Sequence, residues 1–98
     1  MVKHMIIWHF KEEVADKTAC ANAIKTALEG LVGKIDGLLE MRILTEKFAS
    51  SSGDIMMDST FASIAALENY QKHPQHVEIA NGLVRPNIDV RLSFDYDV

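Results

Sequence analysis

Apolar and aromatic side chains dominate residues 2–10, with no glycine or proline among them, a run that predicts a strand buried on both faces. Alternation puts His4, Ile6, Trp8 and Phe10 on one side and Met5, Ile7 and His9 on the other. The period then lengthens. Asp16 is suited to cap a helix, Cys20, Ile24, Leu28 and Leu31 recur every three or four residues, and Gly33 offers a C-terminal stop. Ala19, Ala23 and Ala27 form a second stripe, small enough for close packing on a sheet or for leaving space beside it. Asp36-Gly37 marks a turn, Leu38–Thr45 a second strand, and the serine-containing stretch Glu46–Gly53 a loop. Asp54–Phe61 reads as a third strand with Ile55, Met57 and Phe61 on one side.

Ser63 is placed to cap a second helix carrying Ile64, Leu67 and Tyr70. Pro74 interrupts it, because the residue before a proline avoids helical geometry, so His73 is the expected break. A short helix restarts with Pro74 in its first position, where the missing N–H costs nothing, and Val77, Ala80 and Val84 give it an apolar side. Ile88–Tyr96 alternates: Ile88, Val90, Leu92, Phe94 and Tyr96 against Asp89, Arg91, Ser93 and Asp95.

The order β-α-β-β-α-β predicts an α+β, ferredoxin-like domain over residues 1–98: a four-stranded antiparallel sheet with its helices on one face. The opposite face is expected to be mixed, apolar on the first strand and polar on the last. A second copy of the chain is its simplest cover. Composition leaves this picture intact: 98 residues suffice for one core, and 48% hydrophobic with 24% charged residues is ordinary. The net charge of −4, with no basic cluster, argues against nucleic acid as a partner. No apolar run is long enough for a membrane span or a signal-peptide core. Cys20 is the only cysteine, which excludes an internal disulfide and fits a cytoplasmic location.

Candidate chemistry concentrates between Tyr70 and Val77. His76 falls in the first turn of the short helix, where the positive end of the helix dipole favours neutral imidazole, the form a general base requires. Tyr70, ending the preceding helix, is positioned to donate a hydrogen bond to a carbonyl. His4 would place a polar ring on the wall made by Ile6 and Trp8. The plain readings stand beside these. His76 and Tyr70 would pin the broken helix through hydrogen bonds, His4 would be a satisfied core histidine, and Trp8 would be packing. Met41, Met56 and Met57 would fill the core or an interface, and Asp95–Asp97 would be the solvated side of a terminal strand. The His73-x-x-His76 spacing suits a metal only on an unbroken helix, and no third ligand is evident, so no metal site is expected.

These residues together resemble the stress-responsive A/B barrel domain family across nearly the whole chain. The resemblance rests on the opening at 2–8, Gly53-Asp54, Phe61 to Ser63, the run from Leu67 through Tyr70 to His73, Pro74, Gln75, His76 and Val77, and Phe94-Asp95-Tyr96. It implies subunits that pair through their sheets into a dimeric α+β barrel. A plant polyketide cyclase of that family closes a ring by aldol condensation without a cofactor. Its catalytic histidine and tyrosine match His76 and Tyr70, and a first-strand histidine matches His4. The resemblance thus implies a cofactor-free pocket for a small carbonyl compound, aromatic or polyketide-like, with His76 as base and Tyr70 as donor; His4, Ile6, Trp8 and His73 are the residues expected against the ligand. Leu44 stands where many relatives carry glycine, and the first helix lacks the bulky aromatics of the cyclase pocket. The alternatives are a non-catalytic, stress-protective oligomer without a cavity, and a cofactor-free monooxygenase with Trp8 and a histidine beside an amide such as Asn69 or Asn81.

Overall fold

A computed structural model describes residues 1–98. Strand β1 (Val2–Phe10) is followed by helix α1 (Lys17–Glu29), strands β2 (Leu38–Leu44) and β3 (Ile55–Phe61), helices α2 (Ile64–Lys72) and α3 (Pro74–Ile79), and strand β4 (Ile88–Asp97). The sheet runs β2-β3-β1-β4 with every neighbouring pair antiparallel, the ferredoxin-like arrangement. No helix is long and apolar enough to cross a membrane.

Local chemistry sets the element boundaries. The Asp16 side chain accepts from the Ala19 amide at 2.9 Å, and Ser63 accepts from that of Ala66 at 3.1 Å, each satisfying a donor that helix geometry leaves unpaired. Helix α1 ends at Glu29, earlier than the glycine at 33 suggests; the chain leaves through consecutive turns, with Gly33 at φ +88°. Gly37 turns the chain into β2 at φ +81°, and a Cβ there would come within 2.5 Å of the Ala66 Cβ on α2. Helix α1 also guards the exposed edge of the sheet: Glu29 accepts from the Ile43 amide at 2.9 Å, and Lys25 donates to the Ile43 carbonyl at 3.0 Å.

The core lies between sheet and helices. Ile24 and Leu28 of α1 pack with Ile6, Trp8 and Phe10 of β1 and with Met57 and Phe61 of β3. Met41 belongs to this core, while Met56 lies on the other face and is half-buried. Ala19 and Ala23 point away from it and are exposed, as is Ile64 of α2.

Within the single chain β1 is buried on one side, with Ile7 and His9 exposed on the open face. Strand β4 is oriented opposite to the pattern expected of it. Its register opposes Phe94 to Met5 and Leu92 to Ile7, so Val90, Leu92, Phe94 and Tyr96 lie on the open face, while Arg91, Ser93 and Asp95 lie on the helix side. A shift in register at His9/Phe10 leaves Ile88 opposite Phe10, facing inward. The helices pack over β2, β3 and β1 and leave β4 largely uncovered, so its inward side can be polar. The open face is therefore apolar along two adjacent strands, interrupted by the Lys3–Asp58 pair at 2.5 Å.

Candidate functional site

Between the uncovered β4 and the broken second helix lies a cavity of about 490 Å³, within the range of small-molecule sites. Its construction follows from the break. His73 is extended (φ −65°, ψ 131°), as the residue before a proline should be, and Pro74 opens α3. Helix α3 runs into a single π turn, Ala80–Val84, closed by the Arg85 amide donating to the Ala80 carbonyl. The wider turn presents Ala80, Val84 and Arg85 together to the cavity. Nothing in the sequence signals this π turn beyond the glycine at 82.

His4, Ile6 and Trp8 form the sheet wall, and Tyr70 and His76 face them from α2 and α3. The rings of Tyr70 and His76 lie 4.1 Å apart, centre to centre, and Tyr70 packs against Phe61 at 4.9 Å with the rings tilted by 57°. Two polar atoms here are buried without a hydrogen-bond partner: the Tyr70 hydroxyl and His76 Nδ1. Most buried polar groups are paired, and leaving one unpaired costs about 1–3 kcal/mol. The Tyr70 hydroxyl thus lacks the hydrogen bond that a purely structural reading requires, whereas the His76 ring keeps a contact with the Gln71 backbone.

Burial governs the protonation of both groups. Burial, assisted by the charges of Arg85, His4 and Arg91 and opposed by the Gln71 backbone, holds the His76 imidazole below the usual histidine value. The helix terminus is not the leading cause. Burial pushes the Tyr70 hydroxyl well above the ordinary phenol range, with Arg91 opposing. At neutral pH His76 is a proton acceptor and Tyr70 a proton donor.

His4 is almost fully buried, and its Nδ1 pairs with the Asp95 carboxylate across the β1–β4 ladder. The carboxylate fixes Nδ1 as the donor and leaves Nε2 as the free ring nitrogen. Asp95 therefore serves more than a solvated tail; the alternation of β4 placed it opposite His4 only once the register was known. His73 is the exception among the residues assigned to a ligand. It does not line the cavity; its Nδ1 accepts from the Gln75 amide at 3.2 Å and caps α3, because the extended pre-proline geometry turns it to the helix end. Asn69 and Asn81 are exposed and lie outside the lining, so the amide that a monooxygenase reading calls for is not supplied by them. No three His, Cys, Asp or Glu side chains gather as metal ligands.

Solved structures share this architecture over essentially the full chain. A dimeric protein of unknown function with a ferredoxin-like fold from Bacteroides fragilis superposes with a TM-score of 0.89 at 24% identity, covering 99% of this chain and 95% of that one. A protein of Arabidopsis thaliana gives 0.82 at 25% identity, covering 100% and 95%. A hydroxynitrile lyase from Passiflora edulis gives 0.80 at 19% identity, covering 99% and 92%. None of the curated proteins matches the sequence. The family profile described as the stress responsive A/B barrel domain matches residues 2–98.

Proposed function

Because the chain belongs to the stress-responsive A/B barrel domain family, and because two residues lining its cavity, Tyr70 and His76, each keep a buried polar atom without a hydrogen-bond partner, we propose that it binds and converts a small carbonyl compound by cofactor-free acid–base chemistry. The unpaired Tyr70 hydroxyl and His76 Nδ1 carry the reading. A ligand carbonyl accepting from Tyr70 would satisfy one, and a C–H bond beside that carbonyl would meet the other.

His76 Nδ1 takes the proton from the carbon alpha to the carbonyl. The C–H bonding pair becomes the carbon–carbon double bond of an enolate while the carbonyl π pair moves onto oxygen, and the Tyr70 O–H donates to that oxygen as its charge develops. The His4 ring, held by Asp95, offers Nε2 to a second polar group of the ligand. Ile6 and Trp8 supply an apolar wall suited to an aromatic or polyketide-like body.

Self-association is part of this proposal. Val90, Leu92, Phe94 and Tyr96 leave a row of exposed apolar side chains that a second copy of the chain covers. The description of the Bacteroides fragilis neighbour as dimeric favours the same arrangement. The cavity weighs against a purely structural oligomer, which calls for a filled interior.

The test is exchange of the α-hydrogens of acetophenone in deuterated buffer, followed by proton NMR. Wild-type protein is expected to accelerate exchange above buffer. His76→Ala should lower that acceleration by about 10²-fold or more, and Tyr70→Phe by a similar factor. Equal exchange by wild type and both variants would remove the catalytic roles assigned here.

A further inference from the structure

The sequence holds three arginines, and two of them, Arg85 and Arg91, line the cavity of a chain whose formal charge is −4. Neither is paired with a carboxylate. Arg85 donates to the neutral side-chain carbonyl of Asn81, and Arg91 makes no side-chain hydrogen bond or ion pair. One carboxylate, Asp89, also lines the cavity, where it is paired with His9 at 2.7 Å, and Asp95 is paired with His4. The two guanidiniums reach the mouth from different elements, Arg91 from the uncovered strand β4 and Arg85 from the end of the π turn. Both are exposed, whereas Tyr70 and His4 lie buried on the inner wall.

This layout has a direction. An apolar interior with acid–base groups sits behind a rim of unpaired positive charge, and a planar guanidinium matches a carboxylate through two parallel N–H donors. We propose that the cavity takes an oxo acid, a carbonyl compound with an apolar or aryl body and a carboxylate that docks on Arg91 with Arg85 alongside. The assignment rests on the ligand-binding reading given above and adds the charge of the ligand to it. Entry past the arginines leaves the carboxylate at the mouth, lays the body against Ile6 and Trp8, and brings the carbonyl towards Tyr70 and His76. Arg91 acts on the electrostatics of both these groups, which places its charge within reach of the chemistry. A cationic mouth on an anionic protein also draws organic anions while the rest of the surface repels them.

The test compares 4-oxo-4-phenylbutanoate with its neutral counterpart 4-oxo-4-phenylbutanamide, each titrated calorimetrically into wild type, Arg91→Gln and Arg85→Gln at pH 7 and low salt. Wild type should bind the carboxylate roughly tenfold more tightly than the amide, the effect of one charge-assisted pair. The ratio should fall towards one in Arg91→Gln, and added salt should shrink it in wild type. Equal affinities in wild type, or a preference that survives in both variants, would overturn the carboxylate assignment while the cavity reading stands. Binding of neither compound would overturn both.

Discussion

Tyr70 and His76 concentrate the account in two atoms, and stability measurements probe them without knowledge of a ligand. The Tyr70 hydroxyl is buried and unpaired, so removing it relieves a desolvation cost. Tyr70→Phe should leave thermal stability unchanged or raise it by up to about 1 kcal/mol, while lowering ketone exchange. A drop of more than about 1 kcal/mol in denaturant unfolding would mean that the hydroxyl has a structural partner. His76 adds a pH dependence. Its folded-state value lies below the ordinary 6.5, so the unfolded chain binds the proton more readily. Its contribution to stability is present above 6.5 and lost as pH falls from there towards the folded-state value. His76→Gln should flatten that part of the stability profile; an unchanged slope would place the acid sensitivity elsewhere.

Elements hold these atoms in place, and the turn into β2 is one place where they meet closely. Gly37 combines a left-handed backbone with a Cβ direction that runs into Ala66. Gly37→Ala should cost about 1–3 kcal/mol, read as a lower urea midpoint at unchanged slope. Most elements were legible in the chain because their signals are local: Asp16 and Ser63 as caps, Pro74 as a helix start, the period-two pattern of β4. The cavity residues His4, Ile6, Trp8, Tyr70 and His76 were legible too, through strand alternation and the broken helix. What escaped depended on pairing across the sheet. Asp95 became the partner of His4, and Phe94 turned outward, only through the β1–β4 register, which alternation alone does not fix. His73 was misplaced because its pre-proline geometry gave its ring to a helix cap, and the π turn has no periodicity to betray it.

The whole molecule separates two surfaces: an apolar sheet face for a second copy, and a cavity with a cationic mouth on the helix side. Phe94→Asp places a charge on the open face and none in the cavity. Light scattering should report twice the chain mass for wild type and a single chain for this variant, and a monomeric wild type would remove the dimer. Conversion in the cavity is the central claim, and the pH profile of acetophenone α-hydrogen exchange tests it most directly. Wild-type exchange, corrected for buffer, should rise with pH through one ionisation below 6.5, as His76 loses its proton, and His76→Gln should abolish that rise. The same profile in both proteins, or no exchange above buffer in either, would contradict the account.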